Sequence, residues 1–240
     1  DVVDESKKRR GNLSSNEIWG NKTSVLVGDF LFSRAFQLMT KYGNLEILKI
    51  LSDTSVTISE GEVLELSNDR DPTINEDVYF KVINGKTASL FSAACQVGGI
   101  SAMANEKEIE SLKSFGTNFG MAFQLIDDAI DYTSTNDSLG KNIGDDFKEG
   151  KITLPIILAY LRSDNNEKKF WNRVIVDLDQ KDNDFIKAKS IMQKYKCILD
   201  TVDRARHFAN VAIDSLGTFK DNKYKEALMN LISSSIKRLN

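Results

Sequence analysis

The stretch Phe123-Gln124-Leu125-Ile126-Asp127-Asp128-Ala129-Ile130-Asp131 sets three carboxylates into an otherwise apolar run. At about 100° per residue, Gln124, Asp127, Asp128 and Asp131 fall within one arc of a helix, while Phe119, Phe123, Ile126 and Ile130 point away from it. A solvated helix face usually mixes its acids with lysine or arginine at four-residue spacing. None occurs here between Lys113 and Lys141. Hard oxygen ligands gathered on one face suit Mg²⁺, which keeps several waters and takes a carboxylate or two plus substrate phosphates. Taken alone, the D-D-x-x-D spacing is more often a solvated acidic face or a helix N-cap region.

The helical period continues on both sides of this stretch. Apolar residues recur at three- and four-residue intervals from Glu46 to Leu66, from Glu76 to Met103 and from Glu106 to Tyr132, and only two prolines, Pro72 and Pro155, interrupt the chain. The pattern predicts an all-α protein. Val25 to Met39 (VLVGDFLFSRAFQLM) is apolar on nearly all sides, which predicts a helix in the middle of a bundle. Thr133 to Lys151 is polar and glycine-punctuated, and a loop of that length between two apolar helices invites a functional explanation. Pro155 suits the first turn of a helix, and a charged tract follows from Arg162 to Asp184. There is no internal repeat.

Composition narrows the function classes. With 41% hydrophobic and 28% charged residues and a formal charge of -3, the chain has no basic excess for a nucleic acid partner. Cys95 and Cys197 lie far apart in apolar contexts without metal-ligand spacing, so they read as buried thiols in a reducing, cytoplasmic compartment. The longest apolar run, Ile152 to Leu161, is too short to cross a bilayer, and no signal peptide is visible. His207 is the single histidine, in a charged amphipathic stretch, so a histidine triad or zinc site is not expected. Phe115, Phe119 and Phe123 form a stripe that reads as core before it reads as a ligand tunnel, and Gly28, Gly116 and Gly120 are expected to allow close helix packing.

A second acidic cluster strengthens the metal reading. Asp1-Val2-Val3-Asp4-Glu5 repeats the carboxylate spacing and runs into Lys7-Lys8-Arg9-Arg10-Gly11. Carboxylates that hold metal beside arginines that clasp phosphate oxygens would make a diphosphate receptor. Asp1 is not a start methionine and opens inside this motif, so the sequence is expected to lack residues upstream.

Taken in order, these residues resemble the trans-polyprenyl diphosphate synthases. DVVDESKKRRG is similar to their first aspartate motif less its opening aspartate, and FQLIDDAIDY to the second. Gly61-Glu62-Val63-Leu64-Glu65-Leu66 resembles the G-E-x-x-x-L helix, Gly85-Lys86-Thr87 the K-T segment, and Leu139 to Lys151 with Thr153-Leu154-Pro155 the lysine-bearing loop. The wording is closest to long-chain members that make quinone side chains. The resemblance implies one domain over residues 1–240, without its N-terminal helices, in an isoprenoid synthase-type helical bundle around a central cavity. It implies a homodimer that condenses an allylic diphosphate with isopentenyl diphosphate.

By the same resemblance, Asp1, Asp4, Asp127 and Asp131, with Asp128 in support, hold Mg²⁺ on the allylic diphosphate. Arg9, Lys86, Lys141 and Lys151 bind that diphosphate, Thr87 and Gln124 position it and screen the allylic cation, and Arg10 serves isopentenyl diphosphate. The family's remaining isopentenyl diphosphate-binding and chain-length residues fall upstream of Asp1, so this chain could be inactive alone. A class I terpene cyclase and a non-catalytic partner subunit are the alternatives. The second D-D-x-x-D argues against the first, and intact Lys86, Gln124, Asp127, Asp128, Asp131 and Lys141 argue against the second.

Overall fold

The computed structural model describes residues 2–3, 7–9, 12–133 and 144–238, with the side chains of residues 8 and 9 outside that description. Two compact units are distinguished: one takes the residues up to Leu51, the other those from Ser52 to Thr133 and from Gly144 onward.

The first unit opens on an antiparallel pair of two-residue strands, β1 (Lys8–Arg9) and β2 (Asn12–Leu13), with Arg9 opposite Asn12. They are the only strands among the described residues. Next comes α1 (Ser15–Tyr42), kinked at Gly20, where φ is +78°. The expectation for Val25–Met39 is not met: α1 carries no buried residue, and Leu26 and Phe30 are 67% and 65% exposed. A helix that is apolar on all sides needs cover on all sides. Among the described residues of this unit, only the strand pair and the first turns of α2 (Leu45–Ser67) are at hand. Gly28 likewise faces open space, so its expected packing role is not realised.

In the second unit, α3 (Glu76–Ile83) runs into a π-helical turn, Asn84–Ala88, and on into α4 (Ser89–Ser101). Asn75 caps α3 by accepting from the Val78 amide. The long α5 (Glu106–Thr133) lies against α4 and α10 (Cys197–Ser215). Glycines permit the first of these contacts: a Cβ on Gly116 would stand 2.5 Å from the Phe91 carbonyl oxygen, and one on Gly120 2.6 Å from the Ala88 Cα. Phe115 and Phe119 are buried core residues, stacked on each other and packed with residues of α10 and α11 (Lys223–Lys237).

Part of the expected polar loop is helical, as α6 (Asp145–Glu149) sits between Gly144 and Gly150, whose φ values of +79° and +71° only glycine adopts at little cost. Pro155 does open α7 (Leu154–Arg162). The charged tract after it is not simply solvated. It forms α8 (Asn165–Trp171) and a second π-helical turn, Asn172–Val176, which bury Phe170, Trp171, Val174 and Ile175, followed by α9 (Asp184–Lys194). Cys197 is buried, Cys95 is half-buried rather than buried, and both are free thiols. No described helix is long and apolar enough to cross a membrane.

Candidate active site

The polar arc of α5 divides into one inner and several outer positions. Asp128 is 2% exposed, with both carboxylate oxygens occupied: the Tyr79 hydroxyl donates to Oδ2 at 2.5 Å and the Gln124 amide to Oδ1 at 2.8 Å. The Gln124 carbonyl in turn accepts from the Thr87 hydroxyl at 2.9 Å. Four side chains from α3, the π-helical turn and α5 thus form one chain. The turn itself carries Lys86 and Thr87, and such insertions recur at functional sites because they re-aim side chains without ending the helix.

The outer aspartates have ionic or backbone partners. Asp127 Oδ1 lies 3.2 Å from Arg238 Nη2, and the Arg238 guanidinium covers the Phe123 ring at 5.4 Å. Asp131 accepts from the backbone N–H groups of Asp145 and Asp146, both at 3.2 Å, and so caps α6. Burial, then the neighbouring Asp146 and Asp145, push the Asp131 carboxyl up to about 7. Burial and Asp146 do the same to Asp128, also to about 7. Two lysines stand beside this acid excess: Lys148, 3.2 Å from Asp145, and Lys151, 3.7 Å from Asp146. Burial opposes the charge of Lys151, but Asp146 and Asp128 outweigh burial and hold the ammonium well above its usual range.

Lys86 reaches Glu65 Oε2 at 2.5 Å and Glu62 Oε2 at 3.0 Å. The backbones that carry these side chains approach closely at two glycines, because a Cβ on Gly61 would lie 2.7 Å from the Lys86 backbone nitrogen and one on Gly85 3.1 Å from the Thr57 carbonyl oxygen. Burial works against the Lys86 charge, and the two glutamates override it to raise the pKa. A diphosphate at Lys86 would therefore compete with Glu62 and Glu65.

Asp1, Asp4, Arg10 and Lys141 lie outside the described residues, as does the Arg9 side chain. Of the other expected site residues, Thr87, Gln124 and Asp128 are joined by hydrogen bonds, with Asp127 and Asp131 on the same helix. Sequence reasoning missed Tyr79, Arg238, Asp145 and Asp146 as neighbours of these groups, and it read Glu62 and Glu65 only as parts of a motif. The paired acids three apart in the Gly61–Leu66 helix were the one available signal for a lysine partner. His207 is exposed and edge-on to Phe208. It lines an open cleft of about 460 Å³ with Phe80, Asp200, Asp203 and Arg204, but not with any α5 aspartate.

Among the described residues no three His, Cys, Asp or Glu side chains are grouped closely enough to hold a metal by themselves. Burial, and then the crowding of neighbouring acids, raises the Asp128 and Asp131 carboxyls, and a bound cation would offset that crowding. That suits a divalent cation bound through one or two carboxylates and completed by phosphate oxygens.

The sequence model of the Polyprenyl synthetase family matches residues 1–193. The chain belongs to this family. Among curated polyprenyl synthetases, the octaprenyl diphosphate synthase of Haemophilus influenzae is 40% identical over 238 residues, covering 99% of this chain and 72% of that protein. A decaprenyl diphosphate synthase structure from Rhodobacter capsulatus superposes with a TM-score of 0.94 at 43% identity, over 100% of this chain and 74% of that one. A polyprenyl synthase from Caulobacter crescentus, solved in complex with calcium and isoprenyl diphosphate, gives a TM-score of 0.95 at 43% identity, over 100% and 73% of the two chains. The fold is therefore the all-α isoprenoid synthase type of the polyprenyl synthetases.

Proposed function

We propose that this chain ionises an allylic diphosphate and lengthens it with isopentenyl diphosphate to a long trans-polyprenyl diphosphate, of the kind used for a quinone side chain. The observation that carries the reading is the α5 face itself. Asp127 and Asp131 stand one turn apart on it, beside the Thr87–Gln124–Asp128 chain and the charge of Lys151. The octaprenyl and nonaprenyl names of relatives near 40% identity favour a long product.

In this reading residues 1–240 act as one synthase domain, and Asp127 and Asp131 hold Mg²⁺ together with Asp1 and Asp4. Bound Mg²⁺ would act as a Lewis acid that neutralises the diphosphate as it leaves. Asp128, enclosed by neutral donors, supports from behind rather than ligating. Arg9, Lys86, Lys141 and Lys151 grip the allylic diphosphate, Lys86 by exchanging its glutamates for phosphate oxygens. Arg10 serves isopentenyl diphosphate. The Thr87 and Gln124 oxygens screen the allylic cation, and the departing pyrophosphate takes the final proton, so no side-chain base is needed. The exposed apolar residues of α1 favour a homodimer, since a patch of that kind usually marks an association surface. The free thiols favour a cytoplasmic setting.

The test is incorporation of labelled isopentenyl diphosphate with farnesyl diphosphate and Mg²⁺, followed by chromatography of the products. Linear products longer than the primer are expected. A cyclic hydrocarbon would indicate a terpene cyclase, and no product from this chain or from an upstream-extended form would indicate a non-catalytic partner.

A further inference from the structure

The Thr87–Gln124–Asp128–Tyr79 chain has a direction that proton accounting fixes. Asp128 accepts at both of its oxygens, from the Tyr79 hydroxyl at Oδ2 and from the Gln124 amide at Oδ1. The Gln124 amide nitrogen is thereby committed to Asp128, and its carbonyl faces Thr87 and takes the hydroxyl proton. With that proton spent, the Thr87 oxygen can meet any further group only as an acceptor. An oxygen presenting lone pairs suits a neighbouring carbocation, whereas an outward O–H would repel one.

Tyr79 is the far end of this chain. Its ring is buried in the core, 3% exposed, and its hydroxyl fills the Asp128 oxygen that Gln124 does not use. Without that donor, Asp128 Oδ2 would be a buried acceptor with an unmet bond, and the carboxylate would turn to share the Gln124 amide. Drawn toward Asp128, the Gln124 side chain would part from Thr87 and leave the hydroxyl proton free to turn toward the substrate.

We infer that Tyr79 is a positioning residue: its hydroxyl locks the polarity of the chain and so keeps the Thr87 oxygen an acceptor toward the allylic cation. The inference rests on the proposed ionisation of an allylic diphosphate. It predicts an effect specific to positive charge, which a purely structural tyrosine would not produce.

The test is calorimetric binding, in Mg²⁺, of two allylic diphosphate analogues: one with an ammonium nitrogen where the cation forms, the other a thiolodiphosphate neutral at that carbon. Tyr79→Phe is expected to weaken the ammonium analogue about tenfold, the scale of one hydrogen bond, and the neutral one by less than about twofold. Equal weakening of both, or of neither, would overturn the inference. Should Tyr79→Phe lose its helical circular dichroism, Asp128→Asn scrambles the same chain one link further on and carries the same expectation and the same refutation. Failure of the unsubstituted protein to bind either analogue would instead remove the allylic diphosphate reading, and the inference with it.

Discussion

Two helices of equal length, α1 and α5, meet opposite fates. Each has 28 residues, yet α1 buries none of them while α5 buries twelve, among them the carboxyl of Asp128. The apolar helix is the exposed one, and the helix with three aspartates is the better enclosed. Hydrophobicity reports what a helix needs covered; it does not say whether its own chain supplies the cover. Acids inside a well-packed helix, conversely, are not explained by solubility, because burying a charge is costly unless something compensates it.

The contrast is broken most severely at Asp127. Asp127→Ala is expected to lower kcat by about a thousandfold or more, on the order of 4 kcal/mol of barrier, while circular dichroism stays helical. Near-normal turnover at saturating Mg²⁺ would make the acidic face ornamental. Next in size, Phe115→Ala, on the packed side of α5, should cost about 3–5 kcal/mol of stability in a denaturant titration. A loss below about 1 kcal/mol would mean that α5 is held otherwise.

A smaller effect is expected from pH. The Asp128 and Asp131 carboxyls rise to about 7 when the chain folds, from an ordinary value of about 4. Their contribution to stability is complete below about pH 4 and is lost as the pH climbs through 7, so the metal-free protein should melt lower at pH 8 than at pH 5. Protons and metal compete for Asp131, so Mg²⁺ affinity should fall about fivefold from pH 7 to pH 6. A flat affinity profile would contradict this. The smallest change belongs to α1: Phe30→Ser, at a residue 65% exposed, should shift protomer stability by less than about 0.5 kcal/mol. The same substitution should weaken self-association in sedimentation, and an unaltered dimer would move the interface away from Phe30.

The two helices also mark the limits of reading the sequence. The ranges 76–103 and 106–132 are close to the observed α3–α4 and α5 because a 3.6-residue period is a local property. The acid arc of α5 was legible for the same reason. Arg238 was not, since it meets Asp127 across 111 residues and has no local signature. Tyr79 reads as an ordinary core aromatic until folding brings its hydroxyl to Asp128, 49 residues away. The hold of Glu62 and Glu65 on Lys86 needed the π-helical turn, which no hydrophobic period announces.

The most direct test of the central claim is a Mg²⁺ titration of a non-ionising allylic thiolodiphosphate bound to the unsubstituted chain and to Asp131→Asn. The account predicts tight binding that requires Mg²⁺ and is lost by about a hundredfold in Asp131→Asn. Equal affinity with and without the metal, in both proteins, would contradict it.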